Sequence, residues 1–218
     1  MSPMRLLVTG GSGVLGRALL PAAEAAGHEV IAPGRADLDL FDPAAVARAV
    51  TGIDAILHLA TRIAGLDHTA DPRAWLENDR LRAEASRSLV DAAVRAGTRV
   101  YVQPTVALVY PDGPADETTP LGEVPESLRS ALSAEWQTER FAHAGRRGVV
   151  LRLGLLDGPG TGHDAPVTTW GATLHVADAA TALLAALTLP SSVYNVCRDG
   201  ERVSNRRLRS VSGWSPEH

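Results

Sequence analysis

Two hydrophobic rhythms alternate along the chain. Short unbroken apolar runs that end in glycine or polar residues give way to longer stretches with apolar positions at helical spacing, and then return. The runs read as buried strands and the longer stretches as amphipathic helices. Residues 5–9 (RLLVT) predict a first strand. Residues 14–26 predict a helix with Leu15, Leu19, Ala22 and Ala23 on one side, closed by Gly27. Residues 29–32 predict a second strand, and residues 43–50 a helix entered through Asp42 as N-cap with Pro43 at its first position. Residues 54–59 (DAILHL) predict a third strand, and residues 76–96 one long amphipathic helix stopped by Gly97. A strand over 99–103, a helix over 127–144, a strand over 148–153, a helix over 176–187 and a short strand over 192–196 complete the series. Such alternation points to an α/β chain with a doubly wound parallel sheet, read as one domain over residues 1–218. The loops over 104–126 and 154–175, with the C-terminal segment, are where a substrate cleft is expected.

Composition narrows the partners. A formal net charge of −4 offers no basic field for nucleic acid or an anionic membrane. Arg206, Arg207 and Arg209 form the one basic run, expected as a solvated face. The single cysteine, Cys197, excludes an internal disulfide, and its neighbours YNVC predict a packed thiol in a buried strand. Neither a signal-peptide pattern nor a membrane-length apolar run is visible, so a cytoplasmic protein is expected. All 21 residues counted as lysine or arginine are arginines. No chemistry that needs a lysine can operate in this chain.

Between the first strand and first helix lies VTGGSGVLG. Gly10 permits a sharp exit from the strand, Gly13 lets backbone approach a pyrophosphate, and Gly16 allows close helix–sheet packing. The helix N-terminus adds unpaired N–H groups and a partial positive charge.

This stretch resembles the TGxxGxxG motif of the short-chain dehydrogenase/reductase superfamily, in its extended, NAD(P)-dependent epimerase/dehydratase-like branch. ADLDLFDP, DAILHLAT, YVQPTVALVYPDG, LRLGLLDGPGTG, LHVADAATALLAAL and YNVCRDGERVS extend the resemblance over nearly the whole chain. It implies a Rossmann fold with a reduced C-terminal substrate-binding region. Gly10, Ser12, Gly13, Val14, Leu15 and Gly16 would hold the dinucleotide. Asp39 would meet the adenine amine, Leu40 pack on its ring, and Leu59, Ala60 and Thr61 line the cofactor. It also implies a small-molecule substrate and pairing of subunits through the helices after strands three and four. The second strand is followed by Pro33-Gly34-Arg35, with no acidic residue before Asp37. Arg35 suits the 2′-phosphate of NADP, so NADP is expected over NAD.

The resemblance stops at the superfamily's proton-transfer pair. Its Tyr-xxx-Lys falls on SALSAEWQTER, where Ala131 takes the tyrosine position and Glu135 the lysine position. The family's asparagine on the preceding helix falls at Arg82 rather than Asn78. Thr105 is the candidate hydroxyl after strand four, one position early when counted back from Tyr110. Tyr110 is a candidate hydrogen-bond donor, with packing as its alternative, since an unassisted phenol with a pKa near 10 is a poor base at neutral pH. Glu135 is a candidate general base if it faces the cleft, and a solvated carboxylate if it does not. His58 reads as a buried, bonded histidine, and Trp136 and Trp170 either line the cleft or anchor packing. No metal-ligand spacing is present. Three readings follow: an NADP-dependent oxidoreductase lacking the usual pair, acting on a carbonyl or hydroxyl; a non-redox cyclase, isomerase or dehydratase on the same scaffold; and a dinucleotide-sensing regulator.

Overall fold

The computed structural model describes residues 2–63 and 71–218. Six parallel strands form one sheet in the order β2-β1-β3-β4-β5-β8. They are β1 (Arg5–Thr9), β2 (Glu29–Ile31), β3 (Ala55–His58), β4 (Val100–Val106), β5 (Arg147–Leu153) and β8 (Ser192–Val196). A separate parallel pair, β6 (Leu155–Asp157) and β7 (Thr173–His175), lies in the loop region after β5.

Strand residues alternate between two cores. Leu6, Val8, Leu57, Val102 and Leu151 pack beneath α1 (Val14–Ala25) and α6 (Val176–Ala186), through Leu19, Ala23, Ala179 and Leu183. Leu7, Ile56 and Tyr101 point the other way. They meet α2 (Pro43–Ala49), α4 (Ser86–Ala96) and α5 (Glu126–His143) through Val46, Leu89 and Phe141. Helices on both faces of a parallel sheet are the doubly wound arrangement that the pattern predicts. Chain order reverses at β1, whose neighbours are β2 and β3, so their carboxyl ends open a crevice there.

One helix departs from expectation. The helix expected over 76–96 is broken into α3 (Leu76–Arg80), a π-turn (Leu81–Ala85) and α4. Hydrophobic spacing carries no sign of the extra residue in that turn. Its Leu81 carbonyl accepts from His58 Nε2 of β3 at 3.2 Å, a tertiary bond, and from Ser86 Oγ at 3.4 Å, a local one. The basic run is a solvated face as expected, with Arg206 and Arg209 exposed; it forms a further helix, α7 (Arg206–Ser212), in which Leu208 is buried and Arg209 pairs with Asp199 at 2.6 Å. Among the described residues, no helix is long and apolar enough to cross a membrane.

Candidate functional site

The glycine turn sits at the carboxyl end of β1. Gly10 adopts a left-handed φ of +75° and lies against β3, where an added Cβ would stand 2.6 Å from the Ala60 nitrogen. A Cβ at Gly16 would stand 2.3 Å from the Gly11 carbonyl oxygen, which is why the third glycine is needed for α1 to leave the turn. Gly13 is the N-cap of α1. It supplies no side-chain cap, and the first turn has no acidic residue. Unpaired N–H groups therefore face outward past exposed Ser12 and Gly13, as a pyrophosphate cradle requires. Val14 and Leu15 are half-buried at its edge; Leu59 is buried, Ala60 half-buried and Thr61 exposed at the end of β3. The structure thus brings the fingerprint and the third-strand residues together, and they fit a dinucleotide.

Arg17 was not among the expected residues. Its Nη1 donates to the Ser12 carbonyl at 2.6 Å, and its Nη2 lies 2.8 Å from where a Gly160 Cβ would be. The guanidinium so links the glycine turn to the loop after β6. The available signal was a cation in the first turns of a helix, where it opposes the helix dipole.

At the ribose corner after β2, Arg35 is largely exposed and pairs with Glu77 Oε1 at 2.8 Å, while Arg62 lies 3.9 Å from Glu77 Oε2. Asp37 is exposed, and its Oδ2 accepts from the Gly34 N–H at 3.0 Å. Asp39 is exposed and accepts from the Phe41 N–H at 2.9 Å, while Leu40 packs against the α2-side core.

The three catalytic candidates meet around Arg152, which lies in the LRLGLLDGPGTG stretch but was given no site role there. Arg152, near the carboxyl end of β5, donates from Nε to Glu135 Oε1 at 2.9 Å and from Nη2 to Oε2 at 2.6 Å. Its Nη1 donates to the Tyr110 hydroxyl at 2.8 Å. The Tyr110 hydroxyl in turn donates to Asn195 Oδ1 at 2.9 Å, and the Thr105 hydroxyl to Glu135 Oε1 at 2.8 Å. Asn195 is anchored through its N–H to Glu117 Oε1 at 2.8 Å. Glu135 is therefore neither a solvated carboxylate nor an open base. Its side chain is 11% exposed and both oxygens are committed. Burial works against the Arg152 charge, but the Glu135 bonds outweigh it and hold the guanidinium above its ordinary pKa. Burial pushes the Tyr110 phenol up, with Arg152 only partly opposing it. A charged residue inside the apolar run GVVLRL was the sequence signal for Arg152.

Ala131 is fully buried against Val109 and Val124, so the tyrosine position holds only a packed methyl group. Trp136 is 56% exposed with the Arg140 guanidinium over its ring, so it is no core anchor; the Trp170 side chain lies outside the described residues. His175 caps α6, its Nδ1 accepting from the Ala177 N–H at 3.3 Å. The Cys197 thiol is buried, donates to the Val203 carbonyl and is pushed up to about 12 by burial. Among the described residues, no group of three or more metal-binding side chains forms.

Sheet, glycine turn and reversed strand order define a dinucleotide-binding α/β protein. A family model described as the NAD dependent epimerase/dehydratase family matches residues 6–173, and the chain belongs to that family. Members bind NAD or NADP together with small-molecule substrates. The chain is 36% identical over 179 residues to a 3-diazoavenalumate denitrifying reductase from Streptomyces sp, covering 73% of this chain and 59% of that protein. It is 32% identical over 182 residues to a 2-alkyl-3-oxoalkanoate reductase from Stenotrophomonas maltophilia, covering 72% and 52%. It thus spans little more than half the length of these relatives. The structure of RMD from Pseudomonas aeruginosa complexed with NADPH superposes with a TM-score of 0.80 at 22% identity, covering 98% of this chain and 94% of that one, a likeness of fold.

Proposed function

We propose that the chain is an NADP(H)-dependent reductase of small metabolites that works without a Tyr-Lys proton donor. One observation carries this reading. The cofactor turn keeps its geometry, while the proton-transfer positions hold a buried methyl group and a carboxylate clamped on both oxygens by Arg152. When bound, the nicotinamide supplies the hydride. The chain's own residues orient, exclude water and set charge. Thr105 and Tyr110 give their hydroxyl hydrogens to Glu135 and Asn195, so neither presents an acid to a substrate oxygen.

A substrate fits such a site when hydride addition creates no alkoxide. A diazonium carbon meets that condition: the carbon takes a hydride, N2 leaves with the electron pair of the C–N bond, and charge balances without a proton. The Streptomyces relative is named for a diazo substrate, which supports this class. The Stenotrophomonas relative is named for an oxoalkanoate, which supports a carbonyl acceptor protonated by water as the second class. Arg35 and Arg62 beside Glu77 favour NADP over NAD, since a 2′-phosphate would meet two cations and one competing carboxylate. The non-redox reading loses its candidate base, because Glu135 is held by Arg152.

The test is single-turnover oxidation of NADPH with an arenediazonium salt and, separately, a 3-oxoacid, each against a protein-free control. Diazonium reduction is expected to exceed the control, to release N2, and to proceed at the same rate in Glu135→Gln protein that remains folded. Oxidation of NADPH at the control rate with both acceptors contradicts the proposal.

A further inference from the structure

Arg82 lies in the π-turn and is 4% exposed, yet its Nε and Nη1 have no hydrogen-bond partner among the described residues. A guanidinium stays charged at any physiological pH, and burying one without a bonded partner is strongly unfavourable. Asp79 and Glu135 act on it through space, opposing part of the burial. Neither neutralises it by contact: Glu135 gives both oxygens to Arg152, and Asp79 Oδ1 is itself buried without a partner. On the helices packed against the turn, Asn78 Nδ2 of α3 and Ser130 Oγ of α5 are also buried and unpartnered. The π-turn is an independent sign, because such turns are rare and concentrate at functional sites.

We propose that Arg82 anchors the carboxylate of an anionic substrate, with Asn78 and Ser130 as further donors; the inference rests on the reductase reading. The donors that lack partners suit an oxyanion. Arg152 is paired with Glu135, which leaves Arg82 as a single cation that no carboxylate among the described residues contacts, so the site suits one negative charge better than two. That favours a carboxylate over phosphate or sulfate.

The test is calorimetric titration of the full chain with benzoate, benzamide and inorganic phosphate, with and without saturating NADPH, repeated on Arg82→Met and Arg82→Lys. Benzoate is expected to bind at least ~10-fold more tightly than benzamide or phosphate, to lose at least ~10-fold in Arg82→Met, and to be partly retained in Arg82→Lys. A merely structural arginine moves a different readout. Because Arg82→Met removes a buried charge without contact partners, Tm is expected to rise as benzoate binding falls. Absence of benzoate binding to the parent chain, unchanged benzoate affinity in Arg82→Met, or a fall in Tm or loss of folding in that variant overturns the proposal. A chain that binds NADPH but not benzoate refutes the anchor and leaves the reductase reading standing. A chain that binds benzoate through Arg82 but no dinucleotide does the reverse.

Discussion

At His58, burial and two bonds decide the protonation state. The Leu81 carbonyl can only accept, so Nε2 carries the hydrogen and Nδ1 accepts from the Thr9 hydroxyl at 2.6 Å. Burial lowers the pKa to about 4 against an ordinary 6.5. The unfolded chain therefore binds this proton first as pH falls, and the native state loses stability across that window. Above pH 6.5 the contribution is whole; by about pH 4 the loss reaches about 3 kcal/mol. Denaturant titrations in steps from pH 7 to 4 should show this fall, with a shallower slope in His58→Gln. Equal slopes would remove His58 as the source. The histidine was legible as a buried, bonded residue because it stands inside an apolar strand run. Its partner, Leu81, was not, because nothing local marks a carbonyl freed by a π-turn.

The elements α5 and β5 are joined by the Arg152–Glu135 pair, with side chains 7% and 11% exposed. Removing one member leaves the other buried and unpaired. Arg152→Met is expected to cost about 3–5 kcal/mol in denaturant unfolding, and Arg152→Met with Glu135→Met to recover most of that. A single variant within about 1 kcal/mol of the parent would show that the pair is open to solvent. The six strands of the main sheet, most of the helices packed on it and the glycine turn were legible because each depends on spacing within a few residues, whereas β6, β7 and α7 were not read. The charge reversal at Glu135 was legible as well, but its meaning was not. Read along α5 alone, Glu135 is a solvated carboxylate or a base. Only the pairing of β4 with β5 brings Arg152 beside Thr105, and Tyr110 reaches Asn195 across 85 residues of chain. Arg82 was placed by its motif position, whereas its burial depends on the π-turn.

For the whole molecule, sheet order places the glycine turn, the end of β3 and the Arg152 cluster along the carboxyl ends of neighbouring strands. That arrangement keeps a dinucleotide site beside a polar floor from which the usual proton donor has gone. The central claim is cofactor binding, and calorimetric titration with NADP⁺, NADPH, NAD⁺ and NADH tests it most directly. NADPH is predicted to bind at least ~10-fold more tightly than NADH, since charge-assisted bonds to a 2′-phosphate supply that much. Arg35→Ala should shrink the difference to what Arg62 alone supplies, Glu77→Gln should enlarge it by freeing both arginines, and Gly13→Trp should abolish binding of all four by covering the start of α1. Failure of every dinucleotide to bind the parent chain would contradict the account.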